Sequence, residues 1–264
     1  MTQGPLILGA TGLVGRALRA VPAENWGTPP IWQSRIARAG FLQWDILNQP
    51  APDVDCSGIV MLAGSADSAQ EVHRDLAMRA AALGKSLGVR TLIASTQAVY
   101  GPQSGRLDEA TVCHPVGAYG TGKLMMENAV AGQGGVTCLR IGNVIGADML
   151  GRAAAAGPVT LDRLHDGTAP RRAMIGPVTM AKALLALLNY PKALPQTLNF
   201  AQPGLVGMDE ILQAAGLPWE WTPAPDTVLP KVELDTSLLT SLIDIAPAQP
   251  AALVAEARST GWLA

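Results

Sequence analysis

The residues best suited to chemistry are Tyr119 and Lys123, four apart in the run Tyr119-Gly120-Thr121-Gly122-Lys123. On a helix, residues at that spacing share one face, about 6 Å apart along the axis. An ammonium placed there favours phenolate, which lowers the phenol's pKa and makes it usable as an acid or base near neutrality. Taken alone, a tyrosine and lysine four apart are usually a surface pair. Two further segments give this one a context. The run ASTQAVYG (94–101) closes an apolar stretch, so the hydroxyl of Thr96 sits where a strand ends and can hold the same substrate oxygen. The run Gly9-Ala10-Thr11-Gly12-Leu13-Val14-Gly15 follows the apolar PLIL and opens a helical pattern. Glycines there permit a tight turn and let the backbone approach a pyrophosphate. They also let the helix pack closely on the strand while its free N–H groups face the phosphates. A ligand-free glycine turn is the plain alternative, and the position directly between the first strand and the first helix argues against it.

These side chains need a scaffold that brings strand ends together. Short apolar runs at 6–8, 31–33, 58–62, 89–94 and 136–141 alternate with helical patterns at 13–20, 70–87 and 118–131. Strands that are apolar throughout are covered on both faces, so the pattern predicts an α/β fold: a Rossmann-like, doubly wound parallel sheet. Ligands in such sheets bind at the C-terminal strand edge, where Gly9 and Thr96 fall. Residues 1–146 are expected to form the dinucleotide-binding domain. A helix at 177–188 and a strand at 197–200 suggest that 173–203 returns to it. Segments 147–172 and 204–264 are expected to form a small substrate-binding lobe with helical patches at 209–215 and 250–259. The lobe's first segment reads as irregular, and its tail is rich in proline and holds Trp219, Trp221 and Trp262.

The 264 residues are 48% hydrophobic and 15% charged, which excludes a disordered chain. Nineteen basic and 21 acidic residues give a net charge of −2 without a basic segment, so nucleic acid is not an expected partner. Cys56, Cys113 and Cys138 are widely spaced, and neither they nor His73, His114 and His165 have metal-ligand spacing. No metal is expected. No apolar run approaches the roughly 18 residues of a membrane span, and the start lacks a secretory signal, so a cytoplasmic protein is expected. His73 and Arg74 read as the exposed face of their helix, Cys113 and His114 as loop, Trp219 and Trp221 as packing, and Met125 and Met126 as core or subunit contact.

The glycine spacing resembles the short-chain dehydrogenase/reductase superfamily. The order GATGLVG, LAG, STQAVYG, YGTGK with Glu127, and RIGNVIG resembles, more closely, its extended NAD(P)-dependent epimerase/dehydratase family acting on nucleotide sugars. The resemblance implies Tyr119 as acid/base, Lys123 on the nicotinamide ribose and Thr96 on the substrate oxygen. It places Gly9, Thr11, Gly12, Leu13, Val14, Gly15, Leu62, Ala63, Gly64, Ser95 and Ile141 against the cofactor. Asp45 would meet the adenine amino group and Ile46 would cover the ring. Thr96, Gln97, Asn143 and Arg172 would face the substrate. Where an acidic residue would bind the ribose of NAD, this chain has Gln33-Ser34-Arg35, and Ser34 with Arg35 suits a 2′-phosphate, favouring NADP. Family members commonly pair through the helix carrying the tyrosine, so a homodimer is expected.

The resemblance spans about residues 4–215 and thins after 146. A helix-capping acid of the family has become Thr179, and the lobe is short. Two other readings therefore stand beside the sugar-nucleotide enzyme: an NADPH-dependent carbonyl reductase of a non-nucleotide ketone or aldehyde, and a dinucleotide-sensing protein without chemistry.

Overall fold

A computed structural model of the chain describes residues 3–65, 67–103 and 105–262. Its main sheet has seven strands: β1 (Leu6–Leu8), β2 (Ile31–Ser34), β3 (Leu42–Gln43), β4 (Ile59–Met61), β5 (Thr91–Thr96), β6 (Val136–Ile141) and β7 (Thr197–Phe200). They lie in the order β7-β6-β5-β4-β1-β2-β3, and every pairing is parallel. The helices are α1 (Leu13–Arg19), α2 (Gln70–Leu87), α3 (Gly117–Ala129), α4 (Met149–Ala156), α5 (Pro177–Leu188), α6 (Met208–Ala215), α7 (Ser237–Leu242) and α8 (Pro250–Ser259).

The two-residue period of the strands divides their side chains between two cores. Ile7, Val60, Leu92 and Leu139 face the layer of α1 and α5, where Leu18, Leu184 and Leu187 meet them. Leu6, Leu8, Ile59, Met61, Ile93 and Cys138 face the layer of α2 and α3, against Leu76, Ala80, Leu83 and Met126. Each such leucine or isoleucine contributes about 1.5–3 kcal/mol by leaving water. The doubly wound fold expected from the sequence is the fold observed. The chain order reverses between β1 and β4, and the crevice beyond their C-terminal ends is where such sheets bind ligands.

The segment 147–172 is more regular than its sequence suggested. Asp148 accepts a hydrogen bond from Gly151 N–H (2.8 Å) and caps α4, whose alanines are strong helix formers but too small to show an apolar period. The strand Val159–Arg163 that follows pairs in parallel with Trp219–Pro223. Trp219 and Trp221 therefore stand two residues apart on one strand, their rings edge to face at 6.0 Å. The tail strand Lys231–Leu234 runs parallel to both Arg171–Arg172 and Arg106–Leu107. The α4, α6 and α8 helices close a third core around Leu150, Ile211, Leu253 and Trp262, and the Trp262 indole donates to Gly151 O (2.9 Å).

The tail also repairs the missing cap of α5. Glu256 on α8 accepts from the backbone N–H of Thr179 (2.8 Å) and from its hydroxyl (2.6 Å). The negative charge that helix N-termini favour thus arrives from 77 residues downstream.

Candidate active site

The turn after β1 is built around its glycines. Gly9 has φ +79°, and a Cβ there would lie 2.6 Å from Ala63 N, directly beyond β4. A Cβ on Gly15 would meet Gly9 O at 2.6 Å, so α1 can approach β1 this closely only without a side chain. Above Gly12 the space is open: a Cβ would find only Gly9 O, at 3.4 Å. No side chain caps the N-terminus of α1, and Thr11, Gly12 and Leu13 are exposed beside half-buried Val14. Open N–H groups beside an open notch fit a dinucleotide pyrophosphate.

Gln33, buried at the end of β2, ties this turn in place. Its Oε1 accepts from Gly9 N–H (2.8 Å) while its Nε2 donates to Trp44 O (2.5 Å). Ser34 is buried beside it and Arg35 is exposed. The Asp45 carboxylate accepts from its own turn, at the N–H groups of Leu47 (3.2 Å) and Asn48 (3.3 Å) and the Asn48 side chain (3.1 Å). The bond from the Asn48 side chain is the main influence holding its carboxyl low, and the Arg35 charge adds to it. Ile46 is built into the core under α2 rather than standing free to cover a base. Leu62, Ala63 and Gly64 line the crevice half-buried, and Gly64 has φ +106°.

Thr96 ends β5, and Tyr119 and Lys123 stand on α3 above it. Lys123 is 2% exposed, with Nζ donating to Ala94 O (2.8 Å) and lying 6.0 Å from the Tyr119 ring centre. Burial pushes its pKa down to about 8, against the opposing charge of Glu127. The sequence suggested that this lysine would lower the phenol's pKa. Instead, burial raises the Tyr119 pKa, and it is the hydrogen bond with the Thr96 hydroxyl that works downward. The ammonium is turned toward the Ala94 carbonyl, and in the chain alone desolvation of the phenol dominates.

Two further side chains sit otherwise than the sequence suggested. His73 is 0% exposed, not on a solvent face. Neither of its ring nitrogens has a partner among the described residues, and its ring sits 5.9 Å from that of Tyr119. Burial, then the Lys123 charge, push its pKa down to about 4. Glycines make its room, since a Cβ on Gly64 would lie 2.6 Å from its Nδ1 and one on Gly122 would lie 3.0 Å from its Cδ2. The signal was in the sequence: 73, 76, 77, 80 and 81 form one helical stripe, and all are buried. Arg74 is exposed as expected and pairs with Asp75 at 2.8 Å. Ser95, expected at the cofactor, is 4% exposed and turns its hydroxyl the other way, donating to Glu127. Glu127 in turn holds Arg140 (2.8 Å), and Arg140 donates to the Tyr100 hydroxyl (3.0 Å), a buried network that fixes β5, α3 and β6 together.

At the same edge of the sheet, β5 and β6 run in register so that Thr96 lies opposite Ile141. Gln97 and Asn143 follow at the same edge, and Gln97 Nε2 donates to Asn143 Oδ1 (2.8 Å). Asn143 Nδ2 donates to Asp148 (3.4 Å), a residue that stands out in the sequence only as an Asp placed directly before a helix, a capping signal. The Arg172 guanidinium is half-buried and donates to the carbonyls of Arg171 and Leu229, both at 2.9 Å. Among the described residues no cluster of histidine, cysteine or acidic side chains could hold a metal.

The profile of the NAD dependent epimerase/dehydratase family matches residues 5–199. The chain belongs to that family. No curated protein matches it in sequence. Among solved structures it is similar to a putative epimerase from Burkholderia cenocepacia J2315, at 20% identity and a TM-score of 0.78, over 98% of each chain. It is also similar to UDP-glucuronic acid 4-epimerase from Bacillus cereus in complex with UDP-glucuronic acid and NAD (18%, TM-score 0.75, 99% of this chain and 100% of that one). A third is UDP-glucose 4-epimerase from Bifidobacterium longum with NAD+ and UDP (16%, TM-score 0.75, 98% of each chain). At these identities the likeness shows a shared fold. For this member of the epimerase/dehydratase family, the glycine turn and the Thr96/Tyr119/Lys123 set open onto one strand edge.

Proposed function

We propose that the chain is an NAD(P)-dependent enzyme that oxidises and reduces one carbinol carbon of a sugar nucleotide, with epimerisation at that carbon as the outcome. The juxtaposition of Tyr119, Thr96 and Lys123 at the end of β5 carries this reading. The glycine turn, the crevice between β1 and β4, and Lys123 would hold the dinucleotide, which when bound supplies the hydride acceptor and donor. The chain's own part is the proton. Tyr119 Oη gives it to, or takes it from, the substrate oxygen that the Thr96 hydroxyl holds. With its pKa raised by burial, the phenol is protonated at neutral pH and ready to protonate a carbonyl. Taking a proton from a hydroxyl needs added positive charge, which an oxidised nicotinamide carries.

Replacing Tyr119 with Phe is the direct test. Dinucleotide binding, followed by fluorescence titration, should be unchanged while turnover of UDP-glucose or UDP-glucuronic acid falls at least about a hundredfold. Wild-type turnover in the variant would remove the assignment.

Exposed Arg35 supports NADP over NAD, and it is also the observation that favours the second reading, an NADPH-dependent carbonyl reductase. Thermal shift with UDP separates the two, because a reductase of a plain ketone has no site for the nucleotide. The free thiols Cys56, Cys113 and Cys138 fit a reducing compartment, so we place the protein in the cytoplasm. No helix among the described residues is long and apolar enough to cross a membrane. The packed pair α2 and α3, with Met78 exposed on α2, is the surface we assign to a homodimer, which light scattering tests.

A further inference from the structure

The crevice beside Thr96 holds a charged group that proton and hydride transfer do not use. Asp148 lies at the N-terminus of α4, and one of its oxygens accepts from Gly151 N–H (2.8 Å). The other receives only the long bond from Asn143 Nδ2 (3.4 Å). The Asn143 amide cannot turn to help, because its oxygen is already held by Gln97 Nε2 (2.8 Å). Gln97 Oε1 is left without a partner among the described residues. Gln97, Asn143 and Asp148 are all half-buried, and Gln97 Oε1 itself is shielded from solvent. The second Asp148 oxygen is therefore an under-satisfied acceptor at this edge. Arg172, the cation expected at the substrate, spends its Nη1 on two backbone carbonyls.

Resting on the sugar-nucleotide reading above, we infer that Asp148 is a specificity-determining residue. Through Asn143 and Gln97 it makes the subsite beside Thr96 one that admits sugars bearing hydroxyl or amino groups and rejects sugars bearing a carboxylate. A hydroxyl or ammonium supplies the donor that the second Asp148 oxygen lacks. A sugar carboxylate would set a second negative charge beside Asp148 in a partly desolvated crevice, where like charges repel strongly. The nucleotide diphosphate is common to both kinds of substrate and does not discriminate between them.

The charge on Asp148 can be removed without removing its fold contact. Burial raises its pKa to about 6; the Gly151 N–H, the Asn143 amide and its own N–H act in the other direction, and no charged side chain contributes among the described residues. Discrimination should hold above pH 6 and fade as the pH falls below it. Asparagine caps a helix as well as aspartate does, so Asp148→Asn keeps the bond to Gly151 while losing the charge, and Asp148→Ser is a second capping variant.

The experiment is calorimetric titration of the full chain, loaded with dinucleotide, with UDP-glucose and with UDP-glucuronic acid. Wild-type protein at pH 8 should bind UDP-glucose at least about tenfold more tightly. Asp148→Asn should narrow the gap to about twofold by gaining the uronic acid, not by losing UDP-glucose. Lowering the pH from about 8 to 5 should narrow the wild-type gap and leave that of the variant unmoved. An equal gap in wild type and both variants, or a wild-type preference for the uronic acid, overturns the role of Asp148 and leaves the sugar-nucleotide reading standing. Binding of neither compound overturns both.

Discussion

Tyr119, Thr96 and Lys123 show how much a residue's chemistry depends on what it is buried against. Their types and spacing pointed to a phenol assisted by an ammonium. The structure gives the ammonium to a backbone carbonyl and leaves desolvation to set the phenol, which favours the acid role. Ser95 and Thr96 are neighbours in one strand, yet the alternation of side chains sends one hydroxyl to Glu127 and the other to the Tyr119 phenol. At the far end of the crevice Arg35 is exposed, close enough to Asp45 for its charge to be felt there. If it binds a 2′-phosphate, Arg35→Ala should weaken NADP binding about tenfold and leave NAD binding unchanged. Fluorescence titration with the two dinucleotides checks this, and equal losses would make Arg35 an ordinary surface cation.

Elements carry information that single residues do not. No local side chain caps the helix α5, and α8 supplies Glu256 instead. Glu256→Ala should therefore cost about 1–2 kcal/mol, lowering the melting temperature by roughly 2–4 °C per kcal/mol for a chain of this size. Because Thr179 and Glu256 act on one another, the Glu256→Ala/Thr179→Ala double variant should lose less than the sum of the two single losses. Calorimetric melting of the four proteins decides it, and strict additivity would show the contact to be incidental. Sequence reasoning found α2, β6, α5, β7 and α8 at their observed limits, since each is long or has a clear apolar period. It missed α4 because alanine runs have no apolar face to display, and it missed the strand at 219–223 because that strand pairs with a segment some sixty residues earlier.

Across the whole molecule, two buried titrating groups oppose each other. His73 has a folded-state pKa near 4, below its ordinary 6.5, so the unfolded chain binds more protons between those values and His73 makes the protein less stable as the pH falls through that window. Asp148 has a folded-state pKa near 6, above its ordinary 3.8, so the folded chain binds more protons there and Asp148 makes the protein more stable as the pH falls. The two contributions are similar in size and opposite in sign. Asp148→Asn should leave His73 uncompensated, so urea unfolding of this variant should show stability dropping more steeply than in the wild type from pH 6.5 to 4. His73→Asn should do the reverse. Parallel curves for all three proteins would mean that one of these groups is not buried as described.

The sequence by itself determined the doubly wound sheet and placed the glycine turn and Thr96, Tyr119 and Lys123 on its elements. These depend on local periodicity and on residue types that a short stretch of chain displays. Tertiary structure alone decided what sits beside them: Gln33 holding Gly9, His73 filling the notch between Gly64 and Gly122, Glu256 capping α5, and Asp148 at the substrate edge. Each of these contacts joins elements separated along the chain or depends on burial, and a pKa or an unpaired nitrogen is set by what surrounds the group. A linear pattern records which residue is present, and the packing of distant segments fixes the dielectric and the partners that give it a role.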